Sequence, residues 1–148
     1  MSPRSRSQRR ADTERRLAED IDLWVATAGE DGAPHLIPLS FDWLDGTIIL
    51  STPTTSPTGR NLAAGGTARL ALGPTRDVTM IDATAEILPL DALPSAQADH
   101  FATRTGFDPR QEDTEYSWFL IHPTRIQSWR EANELAGRTL MRDSLWLD

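Results

Sequence analysis

The sequence predicts a mainly β fold: an antiparallel β-barrel that carries a few short helices. Three observations favour it. Short apolar runs recur at close intervals, turns with glycine separate several of them, and the helical segments are too few for alternating β-α units. A chain of 148 residues is expected to form one domain, which buries roughly two-thirds of its unfolded surface.

Charge and composition exclude several classes of protein. The net charge is −7, but residues 1–16 hold six arginines and two acids, a local charge of +4 that leaves −11 for the rest. We expect 1–16 to be a flexible basic tail and 17–148 a single domain whose acidity disfavours nucleic-acid binding. Without cysteine or lysine, thiolate metal sites, disulfides and Schiff-base chemistry are excluded. No bilayer-spanning run or secretory signal is visible, so we expect a cytoplasmic protein.

The first half of the chain is predicted to form one helix and a three-stranded meander. The charged segment "TERRLAED" is rich in helix formers and predicts a short helix over 13–20. Apolar residues then alternate with polar ones, and the turns "GEDG" and "LDG" separate the runs. The predicted strands cover 21–28, 33–43 and 47–52.

The second half continues with further strands and two helices. Glycines close a brief helix predicted over 59–66, and helical composition predicts another over 91–106. Alternation predicts strands over 67–73 and 77–90. Residues 116–130 are predicted to form two strands broken at Pro123, before a short amphipathic tail. The total is six or seven strands, and a sizeable ligand is expected on the outer wall of so small a barrel.

The segment "STPTTSPTGRNL" (51–62) is the most informative for function. It places six hydroxyl residues between an apolar strand and Arg60-Asn61-Leu62. Hydroxyls, free N–H groups at a helix start and one cation are the donors that a phosphate needs. A solvated loop with Thr58 as an ordinary N-cap explains the same residues. Both interpretations remain open at this point.

The order of the motifs resembles the pyridoxamine 5′-phosphate oxidase-like proteins. The resemblance rests on "PHLIPLSFDW", a glycine turn, "TIILST", a polar loop ending in "RNL", "ARLALG", "VTMIDATAEI" and "PTRIQSWR", and covers roughly 17–130. It implies an FMN-binding split barrel, with the deazaflavin F420 as the alternative cofactor. It also implies a homodimer with a site at each subunit boundary.

The resemblance further implies a set of site residues. The strand Leu36-Ile37-Pro38-Leu39-Ser40 would lie beside the ring, and Ser51 and Thr52 would meet the ribityl or phosphate end. The phosphate would be surrounded by Ser56, Thr58, Arg60 and Asn61, and Trp129 with the 104–115 loop would border a small substrate.

Three positions depart from the family pattern. Lysine is common at the position of Thr58, arginine at that of Ser56, and glycine at that of Asp82. Arg69 or Arg76 are alternative cations.

Other chemistries are weaker hypotheses. His35, His100 and His122 lack metal-ligand spacing, so no metal site is predicted. His35, Ser40 and Asp42 lack the G-x-S-x-G context of a hydrolase. Of the five tryptophans, Trp24, Trp43 and Trp118 are expected in core or dimer surfaces, and Trp129 or Trp146 beside a ring.

No catalytic side chain is predicted, because the cofactor carries hydride chemistry. We therefore expect an FMN- or F420-dependent oxidoreductase. The alternative is a non-catalytic carrier of a flavin, deazaflavin or tetrapyrrole. A third hypothesis is a nucleic-acid-associated protein that acts through the arginine tail.

Overall fold

The computed structural model describes residues 1–148, and its fold is mainly β, as predicted. All strands belong to one antiparallel sheet in the order β3-β2-β1-β4-β5-β6-β7-β8. A pairing between β3 and β6 closes the first six into a barrel. The strands are β1 (Asp22–Ala28), β2 (Pro34–Leu44), β3 (Thr47–Pro53), β4 (Thr67–Leu72), β5 (Val78–Pro89), β6 (Tyr116–Trp129), β7 (Thr139–Arg142) and β8 (Leu145–Trp146).

Three α-helices and three single 3₁₀ turns accompany the barrel. The helices are α1 (Arg6–Glu19), α2 (Pro57–Gly65) and α3 (Ser95–Thr105), and the 3₁₀ turns are Leu90–Ala92, Pro109–Gln111 and Ala132–Glu134. None of the helices is long and apolar enough to cross a membrane.

The barrel interior is filled by alternate residues of each strand. On β1, Leu23 and Val25 point inward and are buried, whereas Trp24 between them is 48 % exposed. Aromatic rings such as Phe41 and Phe119 fill the remaining space, so the interior has little room for a ligand. The packed interior leaves the outer wall as the place for a sizeable ligand, where the sequence also leads us to expect it.

The N-terminal segment differs from the expected flexible tail. Ser5 and Gln8 form a capping box that starts α1 well before the helix predicted at residue 13. Arg9 is buried and donates to the carbonyls of Ser128 and Glu134, and Leu17 lies in the barrel core. Composition suggested a solvated tail because the arginines are numerous, but partners of Arg4 and Arg9 lie more than a hundred residues away along the chain.

The predicted break at Pro123 is wrong, because β6 runs through it. Opposite this point the register with β5 shifts between Asp82 and Ala83, which leaves Thr124 without a paired residue. A bulge absorbs the missing N–H of a proline inside a strand. The Thr124 hydroxyl donates to the Asp82 carbonyl and holds the bulge in place.

Helix α3 packs on the outside of the barrel through a small apolar cluster of its own. Phe101 meets Trp118 edge to face, with ring centroids 5.0 Å apart. Asp42 on β2 is fully buried, and its carboxylate contacts His100 at 2.5 Å and Arg104 at 3.2 Å. Arg104 also donates to the Leu17 carbonyl, so α3 is joined to β2 and to the end of α1.

Candidate functional site

A cavity of about 370 Å³ opens where β2 and β3 meet the region after α3. We call it the strand cavity. It brings together five residues that the sequence assigned to cofactor binding, namely Pro38, Leu39, Ser40, Ser51 and Thr52. Two adjacent strands therefore present an apolar surface and several hydroxyls at one opening.

The far wall of the strand cavity was not predicted. Phe101 from α3, Phe107 and Tyr116 line it together with Asp22, the first residue of β1. The Ser40 hydroxyl donates to Asp22 Oδ1 at 2.6 Å across the β1–β2 pair. These four residues belong to different elements, and no local sequence pattern links them. The helical composition of 91–106 alone does not reveal which of its residues faces a cavity.

The hydroxyls at the end of β3 and in the loop after it are bonded within the protein, to Ser117 on β6 or to each other. Ser51 Oγ donates to the Ser117 carbonyl at 2.9 Å, and the Thr54 and Ser117 hydroxyls lie 2.6 Å apart. The Thr52 and Ser56 hydroxyls lie 3.2 Å apart. Since each hydroxyl has a single hydrogen to donate, Ser51 has none left for a ligand, and each of the two pairs retains one.

The start of α2 is also largely satisfied from within. Ser56 is its N-cap and accepts from the Gly59 N–H at 3.0 Å, while Pro57 has no N–H. Gly59 is required here because a Cβ would lie 2.5 Å from the Pro53 carbonyl oxygen. Thr58 is fully buried, and its hydroxyl has no hydrogen-bond partner. The start of α2 is therefore closed to an anion, and the Thr58 hydroxyl is an unpaired polar group buried inside it.

Arg60 and Asn61 line a second cavity of about 300 Å³, which we call the helix cavity. Arg60 is exposed and forms no salt bridge, and Glu30 lies on the same cavity wall. Asn61 Nδ2 donates to Thr27 Oγ1 at 3.1 Å, which ties α2 to β1. The structure thus divides the predicted phosphate residues: Ser56 and Thr58 belong to the start of α2, and Arg60 and Asn61 face the next cavity.

The remaining predicted residues lie elsewhere. Ile37 is half-buried on β2 and does not line the strand cavity. Trp129 pairs with Val78 at the far end of β6, twelve residues from Ser117, which is roughly 40 Å along a strand. Its ring contacts Arg138 instead. Trp129 therefore cannot border the strand cavity of its own chain.

The two alternative cations are already paired. Arg69 donates to Asp82 at 2.7 Å, and this hydrogen bond raises the pKa of Arg69 above its ordinary value. Arg76 lies 3.5 Å from Glu131. Asp82, at the position where the family usually has glycine, thus holds an arginine on the outer wall of the sheet. Arg60, on α2, is therefore the candidate cation that has no carboxylate partner.

Comparison with known proteins finds one family whose model matches this chain and solved structures that share its fold. The model of the family described as pyridoxamine 5′-phosphate oxidase matches residues 13–130. No curated protein sequence matches the chain.

The solved structures that resemble it are distant in sequence. An F420 reductase is 18 % identical, with 76 % of this chain and 94 % of that chain covered and a TM-score of 0.64. General stress protein 26 from Bacillus anthracis is 18 % identical, with coverage of 82 % and 93 % and a TM-score of 0.64. A FAD-binding protein from Mesorhizobium loti is 17 % identical, with coverage of 79 % and 89 % and a TM-score of 0.64. At these identities the likeness shows a shared fold.

Proposed function

The chain belongs to the pyridoxamine 5′-phosphate oxidase family, and on that premise we propose that it is an oxidoreductase that uses FMN or the deazaflavin F420. The family model covers most of the chain, and structures of the same fold include a protein named as an F420 reductase and another named as FAD-binding. When bound, such a cofactor supplies hydride-transfer chemistry, while the protein binds, orients and shields it.

The observation that carries the proposal is the composition of the strand cavity. Pro38 and Leu39 provide an apolar surface against which one face of a flat ring can lie, and Phe107 and Tyr116 line the far wall of the same opening. The Ser40 and Thr52 hydroxyls lie at the same opening and suit the polar edge and polyol chain of a flavin. A ring held against Pro38 and Leu39 is shielded from water on that face, and its other face stays open to a substrate.

The anionic end of the cofactor is assigned to α2. Arg60 is exposed and without a carboxylate partner, so its guanidinium is free to turn toward a phosphate. Ser56, Thr58 and Asn61 complete the proposed set of tail contacts. Thr58 is fully buried and lines neither cavity, so its hydroxyl would meet a phosphate only if the start of α2 opens.

The absorption spectrum of the purified, full-length protein tests the proposal. Protein isolated directly, or after incubation with FMN or F420, should be yellow. Its colour should bleach with a reductant and return with a conjugated acceptor. A protein that retains neither cofactor after gel filtration at micromolar concentration contradicts the proposal.

A non-catalytic carrier is the second candidate, and the hydrogen bonds of the loop favour it. Ser51 has no free hydrogen, and Arg60 is the single cation on α2. Such a site retains a ligand less firmly than one with several cations. Colour that does not respond to any acceptor, or a tetrapyrrole spectrum, would identify a carrier. Turnover with one acceptor would identify an enzyme.

The outer face of β1 and β2 supports a homodimer with shared sites. Trp24 and Leu36 are 48 % and 60 % exposed there, and Pro38 continues this apolar surface into the strand cavity. A second copy that covers this face would also close the cavity. The predicted role of Trp129 at the substrate requires such a copy, since Trp129 lies far from the cavity of its own chain.

Sedimentation equilibrium tests the dimer. The unmodified protein should sediment as a dimer, and Leu36→Asp should sediment as a folded monomer, because the carboxylate would be buried in the interface. Cofactor affinity should fall in parallel. A monomeric parent protein, or a variant that stays dimeric, would refute this interface.

A further inference from the structure

The strand cavity has an uncompensated negative charge. Among the ten residues that line it, Asp22 is the only acid, and there is no arginine or histidine. The Asp22 carboxylate accepts one hydrogen bond, from Ser40, and takes part in no salt bridge. The side chain is exposed at the opening, so one formal negative charge faces any ligand that enters.

Aromatic rings form the wall of the same cavity. Phe107 and Tyr116 pack against each other with centroids 5.5 Å apart and an interplanar angle of 50°, and Phe101 lies beside them. The faces of such rings attract cations, and the attraction strengthens where water is partly excluded. A carboxylate and aromatic faces around one opening together favour a flat ligand that carries positive charge.

The acidic opening and the free cation lie at opposite ends of β1. Asp22 begins this strand and pairs with Ser40, whereas Thr27, near its other end, accepts a hydrogen bond from Asn61 on α2. Thr27 lies five positions after Asp22 along the strand, a distance of roughly 17 Å. Arg60 shares its cavity with Glu30 but forms no salt bridge with it, so an anionic tail is attracted to the free guanidinium and repelled from Asp22, which leaves the acidic end free for a second molecule.

From this charge separation we propose that the substrate is a flat, conjugated molecule with a positive charge, held between the Asp22 carboxylate and the aromatic wall. This inference rests on the proposed function, because it assumes a cofactor whose tail lies toward α2. It assigns Asp22 a role in substrate selection, and the site disfavours carboxylate or phosphate substrates by charge repulsion.

Three probes of the same size and different charge test the proposal. They are N-methylquinolinium as the cation, 1-methylnaphthalene as its neutral counterpart and 1-naphthoate as the anion. Binding to the full-length protein loaded with FMN is measured by calorimetry and by the change in the flavin spectrum. We expect the cation to bind about tenfold more tightly than the neutral probe, and the anion to bind most weakly. Equal affinities, or a preference for the anion, would overturn the proposal.

Two variants separate a specific role of Asp22 from a general effect of charge. Asp22→Asn keeps an acceptor for Ser40 and should reduce the affinity for N-methylquinolinium about fivefold, with 1-methylnaphthalene unchanged. Asp45→Asn removes the same charge at an exposed β2–β3 turn with a positive φ, which asparagine tolerates. It should leave both affinities unchanged. An equal loss in the two variants would show that only net charge matters and would refute the role of Asp22.

Failure of this inference is distinguishable from failure of the proposed function. If FMN and F420 both fail to bind, the cofactor assignment is wrong and the substrate assignment falls with it. If a cofactor binds but the probes show no charge preference, only the substrate assignment is wrong.

Discussion

The arginines at the start of the chain and Arg60 on α2 differ in whether they have carboxylate partners. Arg4 and Arg9, at the start of the chain, contact Glu134, and Arg4 also reaches Asp12 at 3.0 Å. Arg60 on α2 is exposed, and no carboxylate lies within salt-bridge distance. Arg4 and Arg9 join α1 to the 3₁₀ turn after β6, whereas Arg60 borders the helix cavity.

The contrast indicates which cations serve the fold and which are available to a ligand. Glu134 is buried and accepts from the Arg4 side chain and backbone and from the Arg130 N–H, so its charge is fully used within the protein. Arg60 has no such partner, and its charge is available to an external anion. The arginine-rich segment, which the sequence suggested as a nucleic-acid contact, is therefore largely committed to internal ion pairs.

The largest expected effect is on stability, at the arginines that contact Glu134. Glu134→Gln keeps the shape of the side chain but removes the charge that Arg4 and Arg9 share, and leaves Arg9 without a carboxylate partner. Breaking a buried ion pair on one side costs about 3 kcal/mol in the free energy of unfolding. Urea denaturation should show this loss, while cofactor affinity should stay unchanged. A loss below about 0.5 kcal/mol would mean that the network contributes little, as surface pairs do.

The same network predicts how stability depends on pH. The hydrogen bond from Arg4, aided by the backbone donors, lowers the pKa of Glu134 from 4.5 to about 2. Because the folded pKa lies below the unfolded one, the stabilisation is fully present above pH 4.5 and is lost as the pH falls toward 2. The shift corresponds to about 3 kcal/mol. Unfolding midpoints measured across this range should fall steeply for the parent protein and much less for Glu134→Gln.

At Arg60, a substitution should change the affinity for the cofactor and not the stability of the fold. We expect Arg60→Ala to weaken FMN or F420 binding at least tenfold, or about 1.4 kcal/mol, through loss of a charge-assisted contact. The unfolding free energy should change little, because the side chain is exposed and unpaired. Arg142→Ala, which removes another exposed arginine without a salt bridge, is the matched control and should leave the affinity unchanged. An unaltered dissociation constant for Arg60→Ala would remove the phosphate assignment.

Sequence reasoning located the strands well because their signals are local. Alternation and glycine turns gave β1 to β5 within one or two residues, since these features depend on the pleat and on turn geometry. The run through Pro123 could not be foreseen, because the bulge that accommodates it needs the partner strand β5. The early start of α1 had a local signal that was missed, the Ser5-x-x-Gln8 capping box, whereas the contacts of Arg9 with residues beyond 125 could not be foreseen.

For the site, sequence predicted the near wall of the strand cavity and missed the far wall. Pro38 and Thr52 lie on adjacent strands of a meander, so their proximity follows from pairing that the turns already indicate. Tyr116 reaches the same cavity by pairing with Pro53 across β3 and β6, two strands distant in sequence, and Phe107 follows α3, whose packing involves the buried contacts of Asp42. The pairing of Arg69 with Asp82, and the lack of a partner for Arg60, also require the folded protein.

The smallest expected effect concerns Thr58, which shares one feature with Glu134 and another with Arg60. Like Glu134 it is fully buried, and like Arg60 it has no partner, since its hydroxyl lacks a hydrogen bond. Thr58→Val replaces the hydroxyl with a methyl group of similar size, so the cofactor-free protein should gain up to about 1 kcal/mol in unfolding free energy. If the hydroxyl serves the cofactor, affinity should fall a few-fold in the same variant. Calorimetric unfolding and an FMN titration would detect both changes, and a gain in stability with unchanged affinity would leave Arg60 as the principal tail contact on α2.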